Sequence, residues 1–255
     1  MPADVELTKA ADRNFLGSYR KLADHIPEGD IREFGDVFTF ATGLPIGIFN
    51  GCIVTAPAPP EDVAAAVRWI DGHDVPYRLW IHEELTGQLI QATRRLGMDQ
   101  DPWMVPEMVL EDPAEPPPLP PGVTVRAVSD ARSLDVYRSV FVEGGMSEDV
   151  ARRLFAASFA ADPDVALVVA YLDDRPVGTS LAIRTGDVAG VYAVGTLPDA
   201  RRRGIGTAAT WAAIAAGRAW GCREIVLQSS EMGFPMYGQM GFRTVVSYAV
   251  FRPSG

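Results

Sequence analysis

The sequence is poor in the residues that most directly announce metal, redox or membrane chemistry. Of its 255 residues, two are cysteine and three are histidine. Cys52 and Cys222 stand too far apart for metal or redox spacing, and the simplest reading is two reduced thiols in a cytoplasmic protein. His25, His73 and His82 all lie in the N-terminal half and read as ordinary surface or core histidines, so no metal is expected. No uninterrupted apolar run approaches the roughly 20 residues that span a bilayer. The opening MPADVELTKAADRN lacks the apolar core of a signal peptide, so a membrane is not an expected partner. A basic excess is also missing. The net charge is −10; residues 1–122 hold 20 acids against 9 bases, and residues 123–255 hold 13 against 14. That balance argues against nucleic acid as a partner. It is compatible with a cationic small substrate, although solubility alone accounts for it. With 47% apolar residues, the chain has enough for a packed core, and its length allows one large domain or two ordinary ones.

What the chain does contain is concentrated in Val191 to Ala209, VYAVGTLPDARRRGIGTAA. An apolar strand breaks at Leu197-Pro198, where proline cannot continue a ladder. Three arginines, Gly-Ile-Gly and an alanine-rich helix follow. The first amides of a helix have no intrahelical partner, and the helix dipole makes that end positive. Glycine lets the backbone approach an anion closely. The stretch therefore has the layout of a phosphate cradle.

The chain in order predicts a helix over residues 4–25 and neighbouring strands over 34–40 and 46–54. Helices over 61–70 and 84–96 flank a strand at 77–81, and a further strand covers 103–110 with an interruption at Pro106. Asp112 to Gly122, DPAEPPPLPPG, has six prolines in eleven residues. It reads as a semi-rigid linker. Beyond it the pattern predicts strand 123–128, helices 131–142 and 147–159, strands 165–172, 177–185 and 188–197, helix 204–220, strand 224–229, short helix 235–240 and strand 242–251. That order, β-α-α-β-β-β-α-β-α-β, implies a mixed sheet with helices, an α/β or α+β sandwich.

Here the C-terminal half resembles the GCN5-related N-acetyltransferase (GNAT) family. The element order is similar. Arg201-Arg202-Arg203-Gly204-Ile205-Gly206 fits the family's acyl-CoA signature, Gln/Arg-x-x-Gly-x-Gly/Ala, after a strand. Leu227-Gln228-Ser229-Ser230, then Tyr237 and Gly241-Phe242, resembles its second motif. The resemblance covers nearly all of residues 123–252. The N-terminal half echoes part of the same order. Tyr77 to Ile81 matches Glu224 to Ser229, and Leu96-Gly97-Met98 matches Met240-Gly241-Phe242. Its pre-helix turn, Ala56-Pro57-Ala58-Pro59-Pro60, has neither arginine nor Gly-x-Gly. The resemblance is to tandem proteins with one working site: residues 1–111 a degenerate GNAT-like domain, 112–122 the linker and 123–255 the catalytic domain.

The resemblance implies acetyl-CoA as co-substrate, held by the amides of Arg202 to Thr207 and the side chains of Arg201, Arg202 and Arg203. The strand backbone at Val194, Gly195 and Thr196 would pair with the pantetheine amides. Gly195 suits a bulge or a close backbone approach, which would expose an N–H toward the thioester carbonyl. Tyr237 occupies the family's position for the acid that protonates the departing thiolate. Ser230 stands where the family often has an asparagine at the cofactor. Glu143 and Glu231 are the candidates for the base that takes the proton from the acceptor amine. Direct transfer of acetyl to the amine of a small molecule is the expected activity, with a homodimer allowed. A protein N-terminus or lysine as acceptor, or a non-catalytic acyl-CoA sensor, is the alternative.

Overall fold

The computed structural model of the protein describes residues 2–111 and 115–254. Residues 112–114 of the expected linker therefore lie outside the described residues. Two compact units form: 1–108 with 228–234 and 244–255, and 109–227 with 235–243. These units cut the chain differently from the expected blocks of 1–111 and 123–255, because the last strand joins the first unit.

The first unit contains helix α1 (Pro2–Asp24), strands β1 (Asp30–Phe34), β2 (Val37–Ala41) and β3 (Gly51–Val54), helix α2 (Pro60–Asp71), strand β4 (Arg78–His82), helix α3 (Glu83–Arg95), and strands β5 (Met98–Gln100) and β6 (Val105–Leu110, up to Met108). The expected strand over 34–40 proves to be the second half of a hairpin that turns at Gly35, where φ is +55°. Residues 47–49 form a 3-10 turn, which shortens the expected 46–54 strand. β3 and β4 run parallel, and β4 pairs antiparallel with the terminal strand β12, which spans Arg243–Pro253. Strand alternation buries both faces. Val37, Leu79 and Ile81 pack with Val63, Val67 and Leu89 of α2 and α3, whereas Phe38, Phe40 and Trp80 pack with Phe15 of α1.

The second unit begins with β7 (Val123–Ala127) and α4 (Ala131–Glu143). Asp130 caps α4 by accepting the Ser133 N–H at 2.7 Å. The expected helix 147–159 is two pieces, α5 (Glu148–Leu154) and α6 (Ala157–Ala160); Phe155 leaves helical geometry at φ −111°, ψ 59°. Strands β8 (Val165–Leu172) and β9 (Arg175–Thr185) form a hairpin. Asp173 and Asp174 both have positive φ, the left-handed pair that a two-residue turn requires. β10 (Val188–Thr196), α7 (Ile205–Ala219), β11 (Glu224–Gln228) and α8 (Phe234–Gln239) complete the unit's elements, apart from the terminal residue of β11 and the first of α8. The strand order is β11-β10-β9-β8-β7, antiparallel except for β10 with β11.

One packing contact sets the start of α7. A Cβ on Gly178 of β9 would stand 2.6 Å from Ile205 Cγ2 and 3.0 Å from the Gly195 carbonyl oxygen. Ile205, the first residue of α7, is fully buried there. Gly178→Ala should cost about 1–3 kcal/mol of stability through overpacking, measured by urea denaturation; an unchanged midpoint would show that the helix start can shift freely.

Candidate active site

The sheet opens where the site is expected. β10 pairs with β11 only from Val188–Gly190 against Glu224–Val226. Beyond Gly190 the ladder of β10 continues with β9, and Tyr192 to Thr196 are half-buried. The register with β9 then slips: Tyr192 faces Leu181 and Gly195 faces Thr179, so two residues of β10 oppose one of β9. This is a β-bulge. The glycine expected to form it does not. Gly195 is already back in register, and Ala193 takes the left-handed conformation at φ +51°. The Thr179 hydroxyl donates to the Ala193 carbonyl at 2.9 Å and holds the bulge. A non-glycine residue with that backbone stores strain that the surroundings must sustain.

Behind the strand, Leu197 N–H donates to the Val177 carbonyl, and a 3-10 turn over Pro198–Ala200 leads to the arginines. Arg202 has φ +60° and Gly204, which caps α7, has φ +76°. No side chain caps this helix. Its first ladder bond runs from Ala208 N–H to the Gly204 carbonyl at 2.9 Å, so the amides of Ile205, Gly206 and Thr207 precede the ladder. Arg201, Arg202 and Arg203 are exposed, with Arg201 Nε 3.2 Å from the Thr196 carbonyl. A Cβ on Gly206 would stand 3.6 Å from Thr196 Oγ1 and 3.4 Å from Met236 Sδ. The structure thus brings together the end of β10, the start of α7 and α8. Tyr237, next to Met236, is buried, and its ring meets Phe242 edge-on at 5.8 Å. Burial pushes its phenol up to about 12, so the hydroxyl keeps its proton at physiological pH.

The carboxylate candidates, Glu143 and Glu231, are both exposed. Glu143 ends α4 on the surface, where Arg175 bridges it to Asp199. The Arg175 partner holds the Asp199 carboxyl below its ordinary value. Ser230 and Glu231 belong to the first unit. Ser230 serves the turn into α8: its hydroxyl accepts the Gly233 N–H at 3.2 Å and its carbonyl accepts the Phe234 N–H at 3.0 Å. Glu231 is exposed. Ala193, Thr179, Met236 and Arg175 carry no sequence signal that marks them out; each matters through register or a long-range contact.

With this geometry in hand, the comparisons are specific. Residues 132–242 match the acetyltransferase (GNAT) family model. This stretch belongs to the GNAT family. The chain is 30% identical over 192 residues to the mycothiol acetyltransferase of Actinosynnema mirum, covering 69% of this chain and 64% of that protein. It is 29% identical over 204 residues to the mycothiol acetyltransferase of Cellulomonas flavigena, covering 66% and 55%. The chain thus spans less than two thirds of either relative's length. Its fold is that of a GCN5-related N-acetyltransferase from Kribbella flavida, with a TM-score of 0.70 at 20% identity over 95% of both chains. A tandem GNAT protein of the clavulanic acid biosynthesis pathway superposes with a TM-score of 0.58 at 14% identity, over 90% and 85%. Among the described residues, no helix is long and apolar enough to cross a membrane.

Gly204 and Gly221 make a controlled pair for the cradle's backbone. Both are left-handed, but a Cβ on Gly204 would meet Pro120 Cγ at 2.7 Å, whereas nothing lies within 4 Å of one on Gly221. Alanine at either site should cost about 1–2 kcal/mol for the backbone, and Gly204→Ala more than Gly221→Ala. Equal denaturation midpoints for the two variants would remove Pro120 from the cradle's support.

Proposed function

We propose that this GNAT protein is an acetyl-CoA-dependent N-acetyltransferase that acetylates the amine of a small molecule. The observation that carries the reading is the uncapped start of α7, with its amides ahead of the ladder and three exposed arginines beside it. That donor set fits a diphosphate, and Gly204 and Gly206 leave the backbone bare where it would lie. Bound there, acetyl-CoA supplies a thioester acyl group for attack by an amine. The amides of Ile205 to Thr207 and the arginine side chains bind its phosphates. The backbone of Val194 to Thr196 orients the pantetheine arm. The bulge at Ala193 and Val194 re-aims the strand's N–H groups toward the acyl carbonyl. Tyr237 holds a proton at Oη for the departing sulfur.

In the same reading, residues 1–111 are a degenerate GNAT-like domain, joined through residues 112–122 to the working domain at 123–255. Two observations support it. β3 and β4 are parallel, as β10 and β11 are. Gly97 after α3 and Gly241 after α8 are both left-handed, at φ +65° and +96°. The helix start that would answer to the cradle cannot act as one. Pro60 has no N–H, and Glu61 and Asp62 put negative charge in the first turn of α2. A small acceptor is favoured over a protein N-terminus by the relatives' name, mycothiol acetyltransferase. Cys52 and Cys222 are free and buried, which suits a reducing, cytoplasmic setting.

The acyl-CoA sensor remains the second reading because Glu143 is engaged by Arg175. Thiol release from acetyl-CoA across a panel of small amines separates the two. Gly206→Glu should abolish acetyl-CoA binding in calorimetry, and Tyr237→Phe should keep binding while lowering kcat by about 10² or more. Normal binding by Gly206→Glu would reject the cradle. Full turnover by Tyr237→Phe would reject the acid, and binding without turnover for every amine would favour the sensor.

A further inference from the structure

The first unit buries a polar network that the chemistry above does not use. Asp12 of α1, His82 of β4, Glu107 of β6 and Tyr248 of β12 are all buried, among the aromatic rings of Phe15, Trp80 and Tyr248. Polar atoms of Asp12, His82 and Glu107 lie within 4.8 Å of one another. His82 Nε2 lies 2.9 Å from Asp12 Oδ1, and the Tyr248 hydroxyl is 2.6 Å from the same oxygen. Tyr248 Oη is also 3.3 Å from Glu107 Oε2. The other oxygen of Glu107, Oε1, accepts the Gln228 side-chain N–H at 2.7 Å.

Tyr248 has one hydroxyl proton and presents it to both carboxyl groups, 2.6 Å from Asp12 Oδ1 and 3.3 Å from Glu107 Oε2. Asp12 and Glu107 also share a side-chain hydrogen bond, and two carboxyl groups can do so only when one of them keeps its proton. Complete burial and the neighbouring Asp12 carboxylate push in the same direction, holding Glu107 well above the usual carboxylate range. The consequence reaches the second family motif. Gln228 opens the segment that carries Ser230 and Glu231. The same segment is held at Ser229, whose N–H donates to the Pro106 carbonyl at 2.9 Å and whose carbonyl accepts the Trp103 indole N–H at 3.3 Å.

We propose that Glu107 is a positioning residue: a neutral carboxylic acid that accepts Gln228 on Oε1, shares its proton with Asp12, and so fixes the 228–234 segment. Its value to catalysis rests on the acetyltransferase reading; its protonation does not. No covalent step is involved. Asp12, His82 and Tyr248 are the titratable groups facing it, from α1, β4 and β12.

Glu107→Gln is the discriminating variant, because an amide reproduces one acceptor and one donor without charge. A carboxyl whose folded pKa is raised binds more protons in the folded than in the unfolded chain, between its unfolded value of 4.5 and its folded value. Wild-type stability should therefore fall as pH rises through that interval, and the variant should lack that slope. The expected result is a melting temperature of Glu107→Gln that gains on wild type as pH rises above the unfolded value of 4.5. The infrared carbonyl band of a protonated carboxyl group should be present in wild type at neutral pH and absent from the variant. With an amine substrate found, Glu107→Leu should lower kcat about tenfold with acetyl-CoA affinity unchanged, and Glu107→Gln should restore it. A variant that loses ground with rising pH, or a wild type without the band, would overturn the neutral acid. So would stoichiometric binding of zinc or manganese that Glu107→Gln abolishes. If Glu107→Gln loses as much kcat as Glu107→Leu, the positioning role fails. The melting and infrared results stand even if no acceptor is acetylated, so a failed acetyltransferase reading is told apart from a failed Glu107.

Discussion

The parting of β10 from β11 after Gly190 is the constraint on which the rest of the second unit depends. Three paired residues hold the two strands, and beyond them the ladder of β10 continues with β9. Where two strands part, a row of backbone groups can become available to a ligand arm. The bulge at Ala193 and Val194 turns that row, and the Thr179 hydroxyl keeps it turned. The same strand leads directly to α7, whose first residue is seated on Gly178. The contact that fixes the helix start also sets its first turn beside Thr196, since a Cβ on Gly206 would stand 3.6 Å from Thr196 Oγ1.

Electrostatics separates the two helix starts of this protein. α7 begins behind a left-handed glycine, with three arginines before it and no capping side chain. α2 begins with Pro59 and Pro60 and carries Glu61 and Asp62 in its first turn. Both have the same macrodipole, so the dipole alone does not define an anion site. The difference lies in which amides exist and which charges stand beside them.

Local signals were legible in the sequence, and long-range ones were not. Strand 165–172 matches its expected bounds because continuous apolar residues end at an Asp-Asp turn. The start of α7 is readable because glycine, arginine and an alanine-rich helix sit in one short stretch. The hairpin of β1 and β2 was missed because DIREF is too polar to look like a strand, and the break at Phe155 because no proline or glycine marks it. The bulge was assigned to Gly195, yet it falls on Ala193, since its position is fixed by Thr179 across the ladder. Asp12, His82, Glu107 and Tyr248 meet from positions spread over most of the chain, a convergence that no spacing rule encodes. The terminal strand likewise joins the first unit through β4, although the sequence places it after the second motif.

The central claim is that one helix start and one strand edge form the cofactor site. Amide chemical-shift mapping of the isotope-labelled protein, titrated with coenzyme A, tests it most directly. The account predicts the largest shifts at Val194 to Thr196 and at Ile205 to Thr207, with little change at Glu61 to Val63. Shifts centred on the α2 start, or an unperturbed α7 start at saturation, would contradict it.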